Sequence, residues 1–291
     1  MLQRQEPQAL FTPDIVDAAR LRRELTRSAP ADIRYVIWFT PRSGSSWLTD
    51  IATRTGQLSQ PGECFNPSFI PDMAKKMNAG NMNQFIQLLM RRRNTHGVFG
   101  CQLTWYHLKA SFGRPGPFMR HFRDDPCFWL IREDIVLQAV SLARKKQTRI
   151  GHTTLADDSA RAEAEQSFCY DSEEIRHFVR HLMTAEDQTE AMFARFGQTP
   201  LRLSYEQITG MGAEAVVNVI ARHIGADPIH DGPIETGHGK LGTDRNAEFA
   251  TRFREDHAEM MQEIDDTRAG RVAAIDRSLP DSLPEAFRPR G

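Results

Sequence analysis

Arg34-Tyr35-Val36-Ile37-Trp38-Phe39-Thr40-Pro41-Arg42-Ser43-Gly44-Ser45-Ser46-Trp47-Leu48 is the stretch that decides the fold. It opens as an apolar run of strand length, turns through Pro41, Ser43 and Gly44, and continues with helical spacing at Trp47, Leu48 and Ile51. A strand, a tight glycine loop and a helix N-terminus together make an anion site. First-turn N–H groups have no intrahelical partner there, and the helix dipole favours negative charge. Arg42 adds a permanent cation with a forked donor set. The loop is not GxxxxGK[ST], so the standard Walker pattern is absent. The plainer alternative is a strand-to-helix turn with serine caps. Several serines and an arginine around one glycine favour a cradle for a phosphate or sulfate group instead, with donors from Ser43, Gly44, Ser45 and Ser46.

Strand-like runs recur at Val98 to Trp105, Cys127 to Ile131 and Leu201 to Leu203, each followed by a segment with helical spacing or by a loop. Helical patterns cover Pro13 to Arg27 (with Thr12 as cap), Ser46 to Thr55, Pro71 to Met77, Met82 to Met90, Asp134 to Gln147, Ser172 to Phe196, Ala213 to Ile224 and Phe249 to Ile264. Gly113 to Pro117 reads as a turn, 150–168 as a polar cover, 230–245 as a glycine-bearing loop, and the chain from Pro280 as loose. Strands alternating with helices predict an α/β fold with a P-loop-like parallel sheet flanked by helices. The expected organisation is a single domain over 1–291: an N-terminal arm and helix (1–30), a core (31–265) and a C-terminal tail (266–291). Ligands on such sheets bind beyond the carboxyl ends of the strands. Thr40, Trp105, Arg132 and Ser204 all fall at such ends, which predicts one shared site.

The net charge of -1, with both signs interspersed, argues against a nucleic-acid surface. The 4 cysteines occur singly, and Cys101 and Cys127 sit in apolar runs as small core residues. No His/Cys/Asp cluster has metal-ligand spacing, so no metal is expected. A polar N-terminus, and the lack of any apolar run long enough to span a bilayer, predict a cytoplasmic protein without an integral membrane segment.

Thr40 to Trp47 resembles the 5′-phosphosulfate loop of sulfotransferases that use 3′-phosphoadenosine 5′-phosphosulfate (PAPS), and arginine at position 42 is similar to the bacterial trehalose sulfotransferase family. Further stretches resemble that family in the same order: Thr55-Gly56 with Gly62-Glu63-Cys64-Phe65-Asn66, then Gly97 to Trp105, then Arg132-Glu133-Asp134 through Gln138-Ala139-Val140-Ser141 and Gln147-Thr148-Arg149, then Thr243-Asp244-Arg245 through Phe253. The chain departs from the family at Gln102, where the family has a lysine, and at Gln57 to Gln60 beside the acceptor region.

The resemblance implies sulfonate transfer from PAPS to a hydroxyl of a carbohydrate or glycolipid, in a homodimer. It implies Glu63 as general base, since a sugar hydroxyl is a poor nucleophile until its proton is accepted. Arg42 would stabilise the leaving phosphate, with Ser43, Gly44, Ser45, Ser46 and Trp47 around the donor. Arg132 and Ser141 would hold the 3′-phosphate, Arg149 would face the acceptor or the 3′-phosphate, and Arg245 is a weaker candidate. Asp134, Gln138, Ser141, Lys145 and Thr148 fall on one polar stripe of a helix, which is also what a solvated face looks like. His96 and His107, flanking the second strand, are fallback bases. Two other classes stay open: a nucleotide-dependent kinase, which would need carboxylates for magnesium, and a non-catalytic nucleotide-binding homologue.

Overall fold

Apolar runs buried on both faces pair side by side, as parallel strands do. In the computed structural model, which describes residues 10–12, 16–149, 166–229, 232–237 and 243–285, β1 (Ile33–Phe39), β2 (Val98–Leu103), β3 (Cys127–Ile131) and β4 (Leu201–Ser204) form one parallel sheet in the order β2-β1-β3-β4. Register sets Trp38 opposite Leu103 and Trp129, and Ile131 opposite Ser204. All carboxyl ends therefore lie along one edge of the sheet. Side chains alternate across it. Val36 and Trp38 join a core with Phe65, Phe85, Phe118 and Trp129, whereas Tyr35, Ile37 and Phe39 join another with Leu48, Ile51, Val216 and Ile220. Gly100 on β2 is required by this packing: a Cβ there would stand 2.4 Å from the buried Tyr35 ring. Cys101 and Cys127 are buried strand residues, and burial pushes the Cys127 thiol up to about 12.

The helices are α1 (Ala18–Arg27), α2 (Ser45–Arg54), α3 (Ile70–Met77), α4 (Met82–Arg92), α5 (Trp105–Phe112), α6 (Pro115–Phe122), α7 (Ile135–Thr148), α8 (Ser172–Phe196), α9 (Tyr205–Met211), α10 (Ala213–Ile224), α11 (Asp244–Asp256), α12 (Ala258–Ala273) and α13 (Leu279–Ser282). Helices α7, α8 and α11 share a core of their own, with Val140, Val179 and Phe253 at its centre.

Several expectations need correction. Helix α1 starts at Ala18, because the Asp17 carboxylate caps it by accepting from Arg20 N at 2.9 Å; Thr12 does not cap it, and the expected first turn at Pro13 lies outside the described residues. Strand β2 ends at Leu103; the Thr104 hydroxyl accepts from His107 N at 3.1 Å and opens α5 at Trp105. The expected turn at Gly113 to Pro117 instead starts α6, with Pro115 in its first turn where no N–H is needed. Ser204, read as a strand end, also caps α9. The helix expected over Phe249 to Ile264 is two, broken at His257. The chain from Pro280, expected to be loose, continues α13 to Ser282 and buries Leu283. Most of the expected cover at 150–168, and residues 230–231 and 238–242 of the expected loop, lie outside the described residues.

Candidate functional site

The loop after β1 is folded by its own side chains. Ser43 Oγ donates to Thr40 O at 2.7 Å and Ser43 N to the same oxygen at 3.3 Å. Arg42 and Gly44 both take left-handed backbone, with φ of 69° and 88°. Gly44 is the N-cap of α2 and supplies no side-chain cap, so the first-turn N–H groups of Ser45, Ser46 and Trp47 have no intrahelical or capping partner. Ser43 and Ser45 are buried, whereas Ser46 and Trp47 are half-buried. Tyr205, the first residue of α9, closes over the loop: a Cβ on Gly44 would meet its Cδ2 at 2.9 Å.

Helix α7 holds the loop from the far side. Gln138 is buried and donates from Nε2 to Thr40 Oγ1 at 2.9 Å and to Pro41 O at 2.6 Å. One turn on, Ser141 Oγ accepts from Arg42 Nε at 3.0 Å. Arg132, at the end of β3, stacks over the Tyr205 ring at 4.7 Å, with its Nε 3.6 Å from Glu206 Oε1. Arg144 is buried one turn beyond Ser141. Burial, followed by the like charges of Arg132 and Arg144, pushes the Arg42 pKa down. Three guanidiniums thus crowd one anion-ready loop. Part of the polar stripe on α7 is a loop-holding surface rather than a solvated face. Arg149 is the exposed C-cap of α7, about 12 Å along the axis from Ser141. Arg245 turns to the Phe168 carbonyl, donating from Nη1 at 3.3 Å.

Glu63 comes from a segment stitched to the end of β2. Gln102 N donates to Gly62 O at 3.0 Å, and Thr49 Oγ1 of α2 donates to Pro61 O at 2.9 Å. Glu63 Oε2 accepts from Asn66 Nδ2 at 3.0 Å and lies 3.6 Å from His107 Nδ1. Burial pushes the His107 pKa below its usual value, opposed by the Glu63 charge. Glu63 and His107 therefore share one place. His96 sits exposed at the opposite end of β2, with φ of 50°.

Tyr205, Arg144 and the C-terminal helices were not singled out by sequence. Arg144 carries a signal, since it falls three residues after Ser141 on the same helical face. Arg268 carries none. Its side chain is buried and clamps the turn that bears Arg132, donating to Arg132 O at 2.6 Å and Glu133 O at 2.7 Å while paired with Glu186 at 2.9 Å and 3.0 Å. Arg277 adds a bond to Glu133 at 2.8 Å.

The sequence profile of the Stf0 sulphotransferases matches residues 34–256. This chain belongs to the Stf0 sulphotransferase family. It is also similar to a curated protein, the trehalose 2-sulfotransferase of Mycobacterium tuberculosis (strain ATCC 35801 / TMC 107 / Erdman), at 25% identity over 234 residues, 67% of this chain and 85% of that protein. The Stf0 match runs from the second residue of β1 to the last of α11, so it contains the loop, Glu63, Arg132 and Ser141; the Arg268 clamp lies beyond it. Among the described residues, no group of three or more His, Cys, Asp or Glu side chains is placed to hold a metal ion. No described helix is long and apolar enough to cross a membrane.

Proposed function

We propose that this Stf0 chain transfers a sulfonate group from PAPS to a carbohydrate or glycolipid hydroxyl. The observation that carries the proposal is the crowding of Arg42, Arg132 and Arg144 around the uncapped N-terminus of α2, a site shaped for a ligand with several negative charges. Sulfuryl transfer places charge on the departing 5′-phosphate oxygen as the S–O bond to the acceptor forms. Arg42 and the first-turn N–H groups of α2 are set to stabilise that charge without rearrangement. Arg132 and Ser141, joined by Arg144, would hold the 3′-phosphate, and Arg42 stands between the two positions through its bond to Ser141. Glu63 accepts the proton of the attacking hydroxyl, and Asn66 orients the carboxylate. The name of the Mycobacterium relative supports a sugar acceptor. A cytoplasmic homodimer belongs to the same proposal, and sedimentation equilibrium tests the dimer.

The experiment is transfer of labelled sulfonate from PAPS to a panel of sugars by wild type and Glu63→Gln. Wild type is expected to label a sugar and release adenosine 3′,5′-bisphosphate. Glu63→Gln is expected to lose at least a hundredfold in kcat while binding the bisphosphate equally well. Full turnover by Glu63→Gln with loss in His107→Gln would move the base to His107.

A further inference from the structure

Two of the cysteines meet directly behind Glu63. Gly62 O accepts from Cys64 N at 2.9 Å and from Gln102 N at 3.0 Å, and Gly62 pairs with Cys101 in an isolated parallel bridge. The two amide nitrogens are therefore about 6 Å apart or less, the scale on which disulfides join backbones, whose Cα atoms usually stand about 4.4–6.8 Å apart. The Cys64 and Cys101 thiols share a hydrogen bond, and Cys101 Sγ also donates to Tyr35 O at 3.9 Å. The two thiols differ in access. Cys101 is fully buried, and burial, followed by its contact with Cys64, holds its thiol well above the usual range. Cys64 is 8% exposed and lines a cleft of about 210 Å³ beside Glu63, which admits a water-sized oxidant. An accessible thiol backed by a buried one is the arrangement of a reacting and a resolving cysteine.

We propose that Cys64 and Cys101 are an oxidisable pair, closed by hydrogen peroxide into a disulfide that ties the Glu63 segment to β2. The Cys64 sulfur attacks one peroxide oxygen and the O–O bond breaks, giving a Cys64 sulfenic acid and one water. The Cys101 sulfur then attacks the Cys64 sulfur. The bond between the sulfurs forms, the S–O bond breaks, and the hydroxyl leaves with the Cys101 proton as a second water. Two thiols lose two electrons and one peroxide gains them. Covalent closure brings the sulfurs to about 2 Å, well inside hydrogen-bond contact, so the Cys64 segment must shift toward β2. Glu63 precedes Cys64 in the chain and moves with it, and a misplacement of about 1 Å costs on the order of a hundredfold in rate. The loop after β1 is held by Ser43 and Gln138 instead, so donor binding is left intact. The loss of turnover rests on the sulfotransferase reading above, whereas the cross-link does not.

The test treats the full chain with hydrogen peroxide, blocks the remaining thiols with iodoacetamide and maps the peptides by mass spectrometry, with and without dithiothreitol. A peptide linking Cys64 to Cys101 is expected, reversed by dithiothreitol, formed equally in Cys169→Ser, whose thiol is exposed elsewhere, and absent from Cys64→Ser. In Cys101→Ala, dimedone should trap the sulfenic acid at Cys64. In the linked chain kcat for sulfonate transfer should fall about a hundredfold and return with dithiothreitol, with the bisphosphate Kd unchanged; peroxide-treated Cys64→Ser should keep its turnover. Alkylated Cys64 with no linked peptide, or a link from Cys64 to Cys169, overturns the pair, as does full turnover by the linked chain. The wild-type peptide map decides the matter even where Cys101→Ala fails to fold. A chain that links Cys64 to Cys101 but never transfers sulfonate supports the pair and contradicts the sulfotransferase reading.

Discussion

Replacing Gly44 by alanine tests how the loop is held. Two costs can be worked from the structure. Gly44 has φ of 88° and ψ of 7°, a left-handed backbone that costs an L-residue roughly 1–2 kcal/mol. The new methyl would stand 2.9 Å from Tyr205 Cδ2 and 3.5 Å from Ile208 Cδ1, the first well inside the roughly 3.5–4.0 Å of an optimal carbon contact. Tyr205 is stacked on Arg132 and Ile208 is fully buried, so relief requires movement of α9 or of the loop. Overpacking of that kind costs about 1–3 kcal/mol. Together the costs come to about 2–5 kcal/mol, or roughly 5–15 °C in melting temperature for a chain of this size. Part of the strain is relieved by displacing the loop, so bisphosphate affinity is also expected to fall. The assay is thermal unfolding with and without adenosine 3′,5′-bisphosphate for Gly44→Ala, Tyr205→Ala and the pair. Removing the ring removes the clash but not the backbone cost, so the double variant should be about 1–3 kcal/mol better than additive. A melting temperature for Gly44→Ala within a degree of wild type, or strict additivity of the pair, would refute the reasoning.

Other predictions follow from the clamp and from the half-buried histidines. Arg268→Met leaves the Glu186 carboxylate, fully buried and, among the described residues, now facing Arg271 alone, and should cost about 3–5 kcal/mol in denaturant unfolding; bisphosphate affinity should weaken because the Arg132 turn loses its clamp. Arg268→Lys should restore the charge but not the forked bonds to the two carbonyls, giving an intermediate affinity. Gln138→Leu, which removes two donors to the loop at Thr40 and Pro41, should raise the bisphosphate Kd roughly tenfold, as measured by calorimetry. Burial depresses the pKa values of His107, His121, His181 and His223. The unfolded chain thus binds more protons than the folded one just below the ordinary histidine range of about 6.5. The stability these rings contribute is present above that range and lost as pH falls through it, so the melting temperature should drop between pH 7.5 and 5.5. A flat or rising profile there would contradict the burial argument, and His223→Asn should flatten the profile.

Strands β1 and β3 were legible because each is a nearly continuous apolar run, and β1 carries its own turn and helix start; β4, with Arg202 between Leu201 and Leu203, carries a weaker pattern. Helices α8 and α10 were legible to the residue because amphipathic spacing and terminal glycines agree: Gly197 and Gly225 take the left-handed C-cap conformation. The short helices α5, α6 and α9 were not. Trp105 extends the apolar run of β2 and hides the Thr104 cap, and a proline–glycine cluster reads as a turn until its first proline proves to be the start of α6. In the site, Arg42, Ser141 and Arg132 could be found because local motifs surround them. Arg144 was lost among the polar residues of α7, whose burial depends on packing with α8 and α11. Arg268 acts across more than a hundred residues of chain on two backbone carbonyls, and no local pattern announces such a contact.

The most direct test of the account is calorimetric titration of the purified chain with adenosine 3′,5′-bisphosphate and with 5′-AMP, without added metal. The crowded arginines predict tight binding of the bisphosphate and binding of 5′-AMP at least a hundredfold weaker, with most of that difference lost in Arg132→Ala. Equal affinity for the two nucleotides, or no binding of either, would contradict the donor site.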